Sequence, residues 1–201
     1  MMDVPGILDL QKKNITDWHR QITLTKTDSY WSFVEENNMW NFKLWHEEDI
    51  ARIKDIDPLR IVEAKRSIDT FNQNRNNAIE KIDEWVLTAL NEKNHPAIEN
   101  MHSETPGMMI DRLSIMALKH YHMVEETTRA GASASHRERC SQKAAVLEEQ
   151  IADLAFCLEK VLAQLEAGNL KFKVYRQFKM YNDPSLNPQL YKRQTGTRGN
   201  G

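Results

Sequence analysis

Residues 144–165 read AAVLEEQIADLAFCLEKVLAQL, and their apolar side chains recur at alternating spacings of three and four. The residues with this spacing are Ala144, Leu147, Ile151, Leu154, Leu158, Val161 and Leu165. Such a stripe follows one face of an α-helix and is typical of coiled-coil-like packing. The pattern predicts one long helix from about Ser135 to Ala167, with Gly168 in the left-handed cap.

A second long helix is predicted from Asp57 to about Asn91. Asp57 suits the cap position and Pro58 suits the first turn. Spacings of three and four continue through Ile61, Ala64, Ile68, Phe71, Arg75, Ile79, Ile82, Val86 and Ala89. At about 1.5 Å per residue each long helix would extend about 50 Å. We expect the two to form the antiparallel spine of an elongated bundle.

Shorter helices complete the predicted bundle. Thr105-Pro106 opens a helix that runs to about Thr127, Met39 to Lys54 forms another, and weaker helical pieces cover Ile7 to Ile22 and Ser29 to Glu36. No stretch alternates like a strand, so the fold class is all-α. We expect one bundle domain over 1–193 and a disordered tail over 194–201.

Composition agrees with a folded domain, because 40% of residues are hydrophobic and 28% are charged. The N-terminus lacks the features of a signal peptide, and no run of about 18 apolar residues predicts a membrane span. Cys140 and Cys157 have neither disulfide-scaffold nor zinc-ribbon spacing. We expect a cytoplasmic protein.

Charge is distributed unevenly along the chain. From Leu170 onward seven Lys or Arg face Asp183 alone, so this segment carries +6 and the remainder −8 of a net −2. A basic segment can bind anionic lipid, nucleic acid or a phosphorylated ligand, or simply be a solvated surface. Nucleic acid is disfavoured by the acidic body and by the lack of a recognised motif.

Three helical segments concentrate polar side chains. In Leu44 to Arg52, His46 and Asp49 share a face, although a Glu48–Arg52 ion pair on a solvated surface is an alternative. The second segment includes the run Asn72 to Asn77, which is costly in a helix because asparagine competes for the backbone. It carries Lys65, Arg66, Asp69, Asn72, Gln73, Asn76, Glu80 and Asp83.

The third segment, Ser103 to Glu126, begins with a potential anion site. Ser103 or Thr105 can cap the helix, and Gly107 leaves the backbone N–H groups of the first turn accessible. Further along the helix are Asp111, Arg112, Lys119, His122, Glu125 and Glu126. The alternative is a capped helix with an internal network of ion pairs.

A metal site is a further alternative. His46-x-x-Asp49 and His122-x-x-Glu125 place an imidazole and a carboxylate three residues apart, as bundle di-metal proteins do in the reverse order. No P-loop, Rossmann or hydrolase-elbow motif is present.

Four strings resemble a bacterial family of domains of unknown function, family 4254. They are LWHEEDIAR (44–52), KRSIDTFNQNRNNAIEKID (65–83), SETPGMMIDRLSIMALKHYHM (103–123) and KMYNDPSLNP (179–188). The resemblance implies a role near cell-envelope glycosyltransferases, beside which members are often encoded, and it implies no established activity. The matching positions are His46, Glu48, Asp49, Arg52, Lys65, Arg66, Asp69, Asn72, Gln73, Arg75, Glu80, Asp83, Ser103, Glu104, Thr105, Gly107, Asp111, Arg112, Ser114, Lys119, His122, Lys179, Tyr181, Asn182 and Asp183.

Three functional hypotheses follow, and the sequence does not decide whether the protein is an enzyme or needs a cofactor. The first is binding or conversion of an anionic phosphorylated sugar or sugar nucleotide in cell-envelope polysaccharide biosynthesis. The second is metal-dependent hydrolysis by His46, Asp49, Asp111, His122 and Glu125. The third is an accessory protein without chemistry that docks onto a glycosyltransferase.

The first hypothesis assigns roles to particular residues. Its catalytic acid and base candidates are His46, Asp49, Asp69, Asp111 and His122. Its ligand-binding candidates are Arg52, Lys65, Arg66, Asn72, Gln73, Arg75, Ser103, Thr105, Arg112 and Lys119.

Overall fold

The computed structural model describes residues 1–94, 97–178 and 183–196, and these residues form six α-helices. The helices are α1 (Val4–Trp18), α2 (Ser29–Ala51), α3 (Pro58–Leu90), α4 (Pro106–Thr128), α5 (Ala134–Glu166) and α6 (Pro188–Gly196). Within these ranges the backbone forms no strand, only an isolated bridge between Met101 and Lys171. The prediction of an all-α helical bundle is confirmed.

Four helices begin where a short polar side chain accepts a hydrogen bond from the backbone of the first turn. This bond satisfies one of the N–H groups that a helix start leaves unpaired, and proline follows the cap in three of the four cases. The cap pairs are Asp3 with Gly6, Asp57 with Leu59, Thr105 with Met108 and Ser133 with His136.

The two long helices, α3 and α5, run in the same direction, which corrects the predicted antiparallel spine. Asp83 near the end of α3 contacts Gly107 at the start of α4, and Glu126 near the end of α4 contacts His136 at the start of α5. Each long helix is therefore antiparallel to α4. The apolar stripes predict two helices correctly but do not specify which helix each will face.

Helix α2 is one continuous helix, whereas the sequence predicts two pieces, Ser29 to Glu36 and Met39 to Lys54. The predicted break falls at Asn37 and Asn38, both of which are fully buried. Their amides bond to groups on α1 and α4, and these bonds offset the low helix propensity of asparagine.

A layer of buried polar side chains separates two apolar cores. The larger core contains Ile82 of α3, Leu113 of α4 and Leu158 of α5. The smaller core contains Trp18 of α1 and Phe42 of α2. The polar layer consists of Gln11, Asn14, Glu35, Asn37, Asn38, Asn41, Asp111 and Ser114.

The basic C-terminal segment folds back onto α3. Phe172 is buried in the larger core, and its backbone exchanges two hydrogen bonds with the Asn94 amide. Beyond it, Arg176 pairs with Glu80 and Glu84. Part of the predicted excess of positive charge therefore neutralises acidic groups of the bundle itself.

Two further features concern the ends and the exterior. Helix α6 includes residues 194–196 of the predicted tail, while 197–201 lie outside the described residues. No described helix is both long enough and apolar enough to cross a membrane.

The close packing of α3 against α4 at Gly107 yields a stability prediction. A Cβ atom there would lie 2.5 Å from the Ile79 carbonyl oxygen and 2.8 Å from Oδ1 of Asp83. We expect Gly107→Ala to lower the free energy of unfolding by about 1–3 kcal/mol, the usual cost of overpacking. Chemical denaturation measures this. A more stable variant would contradict the packing, because alanine gains about 0.5–1 kcal/mol over glycine at an open helical position.

Candidate functional site

Asp111 is the buried carboxylate at the centre of the polar layer. Its Oδ1 accepts hydrogen bonds from the side-chain amides of Asn37 and Asn41, each at 2.9 Å. Those two asparagines lie one helical turn apart on α2, so both amides reach the same oxygen of α4. The carboxylate is thereby held in one position.

Arg75 of α3 approaches the same carboxylate without forming a hydrogen bond to it. Its Nε lies 3.8 Å from Asp111 Oδ1, which is beyond hydrogen-bond distance. That Nε is buried and has no hydrogen-bond partner among the residues that the structure describes. The side chain as a whole is 27% exposed, so the guanidinium combines a buried, incompletely bonded edge with access to solvent.

Arg75 lies between two concavities. A cleft of about 320 Å³ between α2, α3 and α4 is on one side. On the other side of Arg75 lies a recess of about 290 Å³. Tyr175 and Gln177 of the C-terminal segment close this recess, and Asp111 also lines it. The cleft is lined by Asn41, Leu44, Trp45, Glu48, Asp49, Arg52, Asn72, Arg75, Ile115 and Leu118.

The cleft brings together part of the predicted site. Asp49, Arg52, Asn72 and Arg75 line it, and Asp111 contacts Arg75 at its edge. Arg52 is already paired with Glu48 at 2.6 Å, as the surface ion-pair alternative predicts. Of the two cations that line the cleft, Arg75 is therefore the one that makes fewer hydrogen bonds within the protein.

Other predicted residues lie elsewhere. Lys65 and Asp69 form an ion pair with each other on the outer part of α3, and Arg66 is exposed there. Gln73 bonds Asn77. Three further candidates on or near α4 are also outside the cleft: Ser103, which is exposed, Arg112, which pairs with Glu104, and Lys119, which lines a groove beside α5.

The predicted anion position at the start of α4 is occupied by a carboxylate of the protein itself. Asp83 Oδ1 accepts the Gly107 N–H at 2.7 Å, and the Thr105 hydroxyl oxygen accepts the Met108 N–H. Burial raises the pKa of Asp83 to about 7, although hydrogen bonds from Thr105 and Gly107 act in the opposite direction. Asp83 thus satisfies the first turn that an external anion would otherwise bind.

A second constellation joins three histidines from three helices at the far end of the smaller core. His46 of α2 and His122 of α4 are half-buried, and His19, which follows α1, is exposed. One ring nitrogen of each histidine lies within 4.8 Å of one ring nitrogen of each of the other two. Burial and repulsion from the other two imidazoles lower the pKa of His46.

In two of these histidines the Nδ1 atom, and not Nε2, lies at hydrogen-bond distance from an acceptor. His122 Nδ1 lies 2.7 Å from the Glu125 carboxylate, and His19 Nδ1 lies 2.6 Å from the Ile15 carbonyl oxygen. The Nε2 atoms of His46 and His122 are buried, and neither has a hydrogen-bond partner within the described part of the chain. The cluster shares two residues with the predicted metal set but not Asp49 or Asp111.

Sequence reasoning missed the asparagines of α2 and His19. Asn37 and Asn41 lie at i and i+4, a spacing that marks one helix face, but Asn37-Asn38 resembles a helix break. His19 shares no local motif with the other two histidines, since only tertiary packing unites them. Of the positions matched by resemblance, Lys179, Tyr181 and Asn182 lie outside the described residues.

Comparison with protein families gives a match over most of the chain. The family model described as a protein of unknown function (DUF4254) matches residues 31–174, which run from the third residue of α2 past the end of α5 and exclude α1. No curated protein and no solved structure matches the chain.

Asp83 yields a prediction of pH-dependent stability. A carboxyl group whose pKa is higher in the folded state binds its proton more tightly there. Its contribution to the free energy of unfolding is therefore full below about pH 4 and is lost as the pH rises to about 7. The slope from one such group reaches about 1.4 kcal/mol per pH unit. We expect Asp83→Asn to remove this fall in unfolding free energy, measured by denaturation at pH 4 to 8.

The exposed Asp153 of α5 offers a matched control. Asp153→Asn should keep the wild-type pH profile. An Asp83→Asn profile parallel to wild type over the whole range would refute the assignment of a raised pKa.

Proposed function

We propose that this chain, which belongs to the DUF4254 family of proteins of unknown function, binds a phosphate-bearing small molecule in the cleft between α2, α3 and α4. The ligand class is a phosphorylated sugar or a sugar nucleotide. The main support for this proposal is the environment of Arg75. Its guanidinium has a buried Nε without a hydrogen bond to the described residues and lines a concavity of ligand size.

The surroundings of Arg75 favour an added acceptor. The nearest carboxylate oxygen, on Asp111, already accepts from two amides and lies too far from Nε for a hydrogen bond. A guanidinium carries five N–H donors in a planar fork. A phosphate group in the cleft would accept two of them at once, which is the geometry that arginine offers and lysine does not.

The rest of the cleft suits a sugar. The Asn72 amide can donate to and accept from hydroxyl groups, the Asn41 side-chain oxygen can accept from them, and the Trp45 ring offers an apolar face. A volume of about 320 Å³ is at the lower end of ligand pockets. We therefore favour a ligand whose phosphosugar part enters the cleft.

The two carboxylates at the cleft have different roles in this proposal. Asp111 is a positioning residue, because its bonds to Asn37 and Asn41 fix it beside the guanidinium. Asp49 is exposed and lines the cleft, so it is the carboxylate available as an acid or base if the bound ligand is converted.

The cellular setting is also part of the proposal. The resemblance to a family encoded beside glycosyltransferases supports a cytoplasmic role in cell-envelope polysaccharide biosynthesis, with a glycosyltransferase as the protein that shares this ligand. A phosphosugar-binding partner of such an enzyme needs no catalytic activity of its own, and the proposal covers both cases.

The test is a thermal-shift titration with glucose 1-phosphate, UDP-glucose and inorganic phosphate, with glucose as the uncharged control. A ligand at 100 times its dissociation constant stabilises the folded state by about 2.7 kcal/mol. We expect the phosphorylated compounds to raise the melting temperature and glucose alone to leave it unchanged.

Variants locate the binding. Arg75→Ala should abolish the shift, and Arg75→Lys should reduce it, since lysine keeps the charge and loses the fork. Arg139→Ala, an exposed arginine on α5, is the matched control and should respond like wild type. Each shift is compared with the melting temperature of the same variant without ligand. Equal shifts in wild type and Arg75→Ala, or no shift with any phosphorylated compound, would overturn the proposal.

A further inference from the structure

We propose that His19, His46 and His122 form a metal centre that binds one divalent transition-metal ion of the zinc class through their Nε2 atoms. This inference is independent of the phosphosugar proposal. The two sites use different residues, although Trp45 lines the cleft and also stacks on His122, with ring centroids 4.9 Å apart.

The unpartnered nitrogens are the first argument. The Nε2 atoms of His46 and His122 are buried and form no hydrogen bond to any described residue, and a buried polar atom left unpaired costs about 1–3 kcal/mol. Most buried polar atoms in folded proteins are paired, so two from adjacent helices in one cluster require an explanation. A shared metal ion satisfies both.

The hydrogen bonds at the opposite ring nitrogens are the second argument. The Ile15 carbonyl oxygen and the Glu125 carboxylate can only accept, so Nδ1 of His19 and of His122 each carries the proton. Each Nε2 then has a free lone pair. Metal-binding histidines commonly donate their other N–H to a carboxylate or a backbone carbonyl in this way.

The spacing of the rings is the third argument. The three pairs of ring centroids are 5.2 Å, 5.3 Å and 5.6 Å apart. Tetrahedral Zn–N bonds of about 2.0–2.1 Å place donor atoms roughly 3.3 Å apart. Because one ring nitrogen of each histidine already lies within 4.8 Å of the other two, side-chain rotations can bring the three Nε2 atoms to bonding distance. Tyr121 stacks on His19 at 4.5 Å and restricts that ring further.

The donor set selects the metal class. Three imidazoles suit zinc, copper, nickel or iron and do not suit magnesium or calcium, which prefer oxygen ligands. Three protein ligands leave a coordination position for water or an anionic ligand, the arrangement of catalytic zinc sites. A cavity of about 330 Å³ lies beside the cluster and is lined by Tyr121 and Glu125, which contact His19 and His122.

A second group with ligand chemistry, Glu126, His136 and Cys140, serves as an internal control. Its donor atoms also lie close together, but His136 Nε2 contacts Glu126 at 2.7 Å and Cys140 Sγ at 3.4 Å. Because these groups already bond one another, we do not assign the metal to them.

The experiment measures zinc binding by the full chain after any affinity tag is removed and metal is stripped with chelator. Isothermal titration with Zn²⁺ should give one equivalent per chain for wild type and for His136→Ala. His46→Ala, His122→Ala and His19→Ala should each lose this stoichiometric binding. Glu125→Gln should retain binding with an affinity weakened about 10- to 100-fold.

Folding and site identity are controlled separately. His19 is exposed, so His19→Ala keeps the test valid if a variant of a more buried histidine fails to show the helical circular dichroism of wild type. The proposal would be overturned if wild type bound no equivalent of zinc, if His19→Ala still bound it, or if His136→Ala lost it. The Arg75→Ala variant should still bind zinc, so a failure of the metal proposal can be distinguished from a failure of the phosphosugar proposal.

Discussion

The buried carboxylate of Asp111 imposes the central constraint on this structure. A charge with 8% exposure requires compensating hydrogen bonds, and removing a partner from such a site commonly costs about 3–5 kcal/mol. Here α2 supplies two amides and α3 supplies a cation. The requirement fixes α2, α3 and α4 relative to one another, and the cleft is the space that remains between them.

The same layer also fixes α1. The Asn38 amide donates to the Gln11 carbonyl oxygen and accepts from the Ser114 hydroxyl, while the Gln11 amide donates to the Ile110 carbonyl oxygen. Buried Glu35 accepts from the backbone of Thr25 and Lys26, which holds the connection between α1 and α2 in place. Apolar packing alone permits a helix to slide or rotate, whereas these directional bonds permit a single register.

Much of the fold was predictable because it depends on local chemistry. The stripes of α3 and α5 and the caps at Asp57 and Thr105 each express a rule that operates within one helix. The direction of the two long helices was not predictable, since a stripe does not identify its partner. The break expected at Asn37-Asn38 was wrong because bonds to other helices outweigh a weak local preference.

The candidate site divides in the same way. Asp49, Arg52, Asn72, Arg75 and Asp111 came from dense polar segments, and the fold brings the first four to one cleft and Asp111 to its edge. Lys65, Asp69 and Arg112 came from the same segments but pair locally, which a sequence pattern cannot distinguish from a site. His19 lies outside the segment that the family model matches, and its proximity to the other imidazoles arises only from the parallel packing of α1 and α4. Trp45 lines the cleft and stacks on His122, so the two proposed sites share one side chain. If a ligand in the cleft changes the metal affinity of the histidine cluster through this ring, thermodynamic reciprocity requires the metal to change the ligand affinity by the same factor.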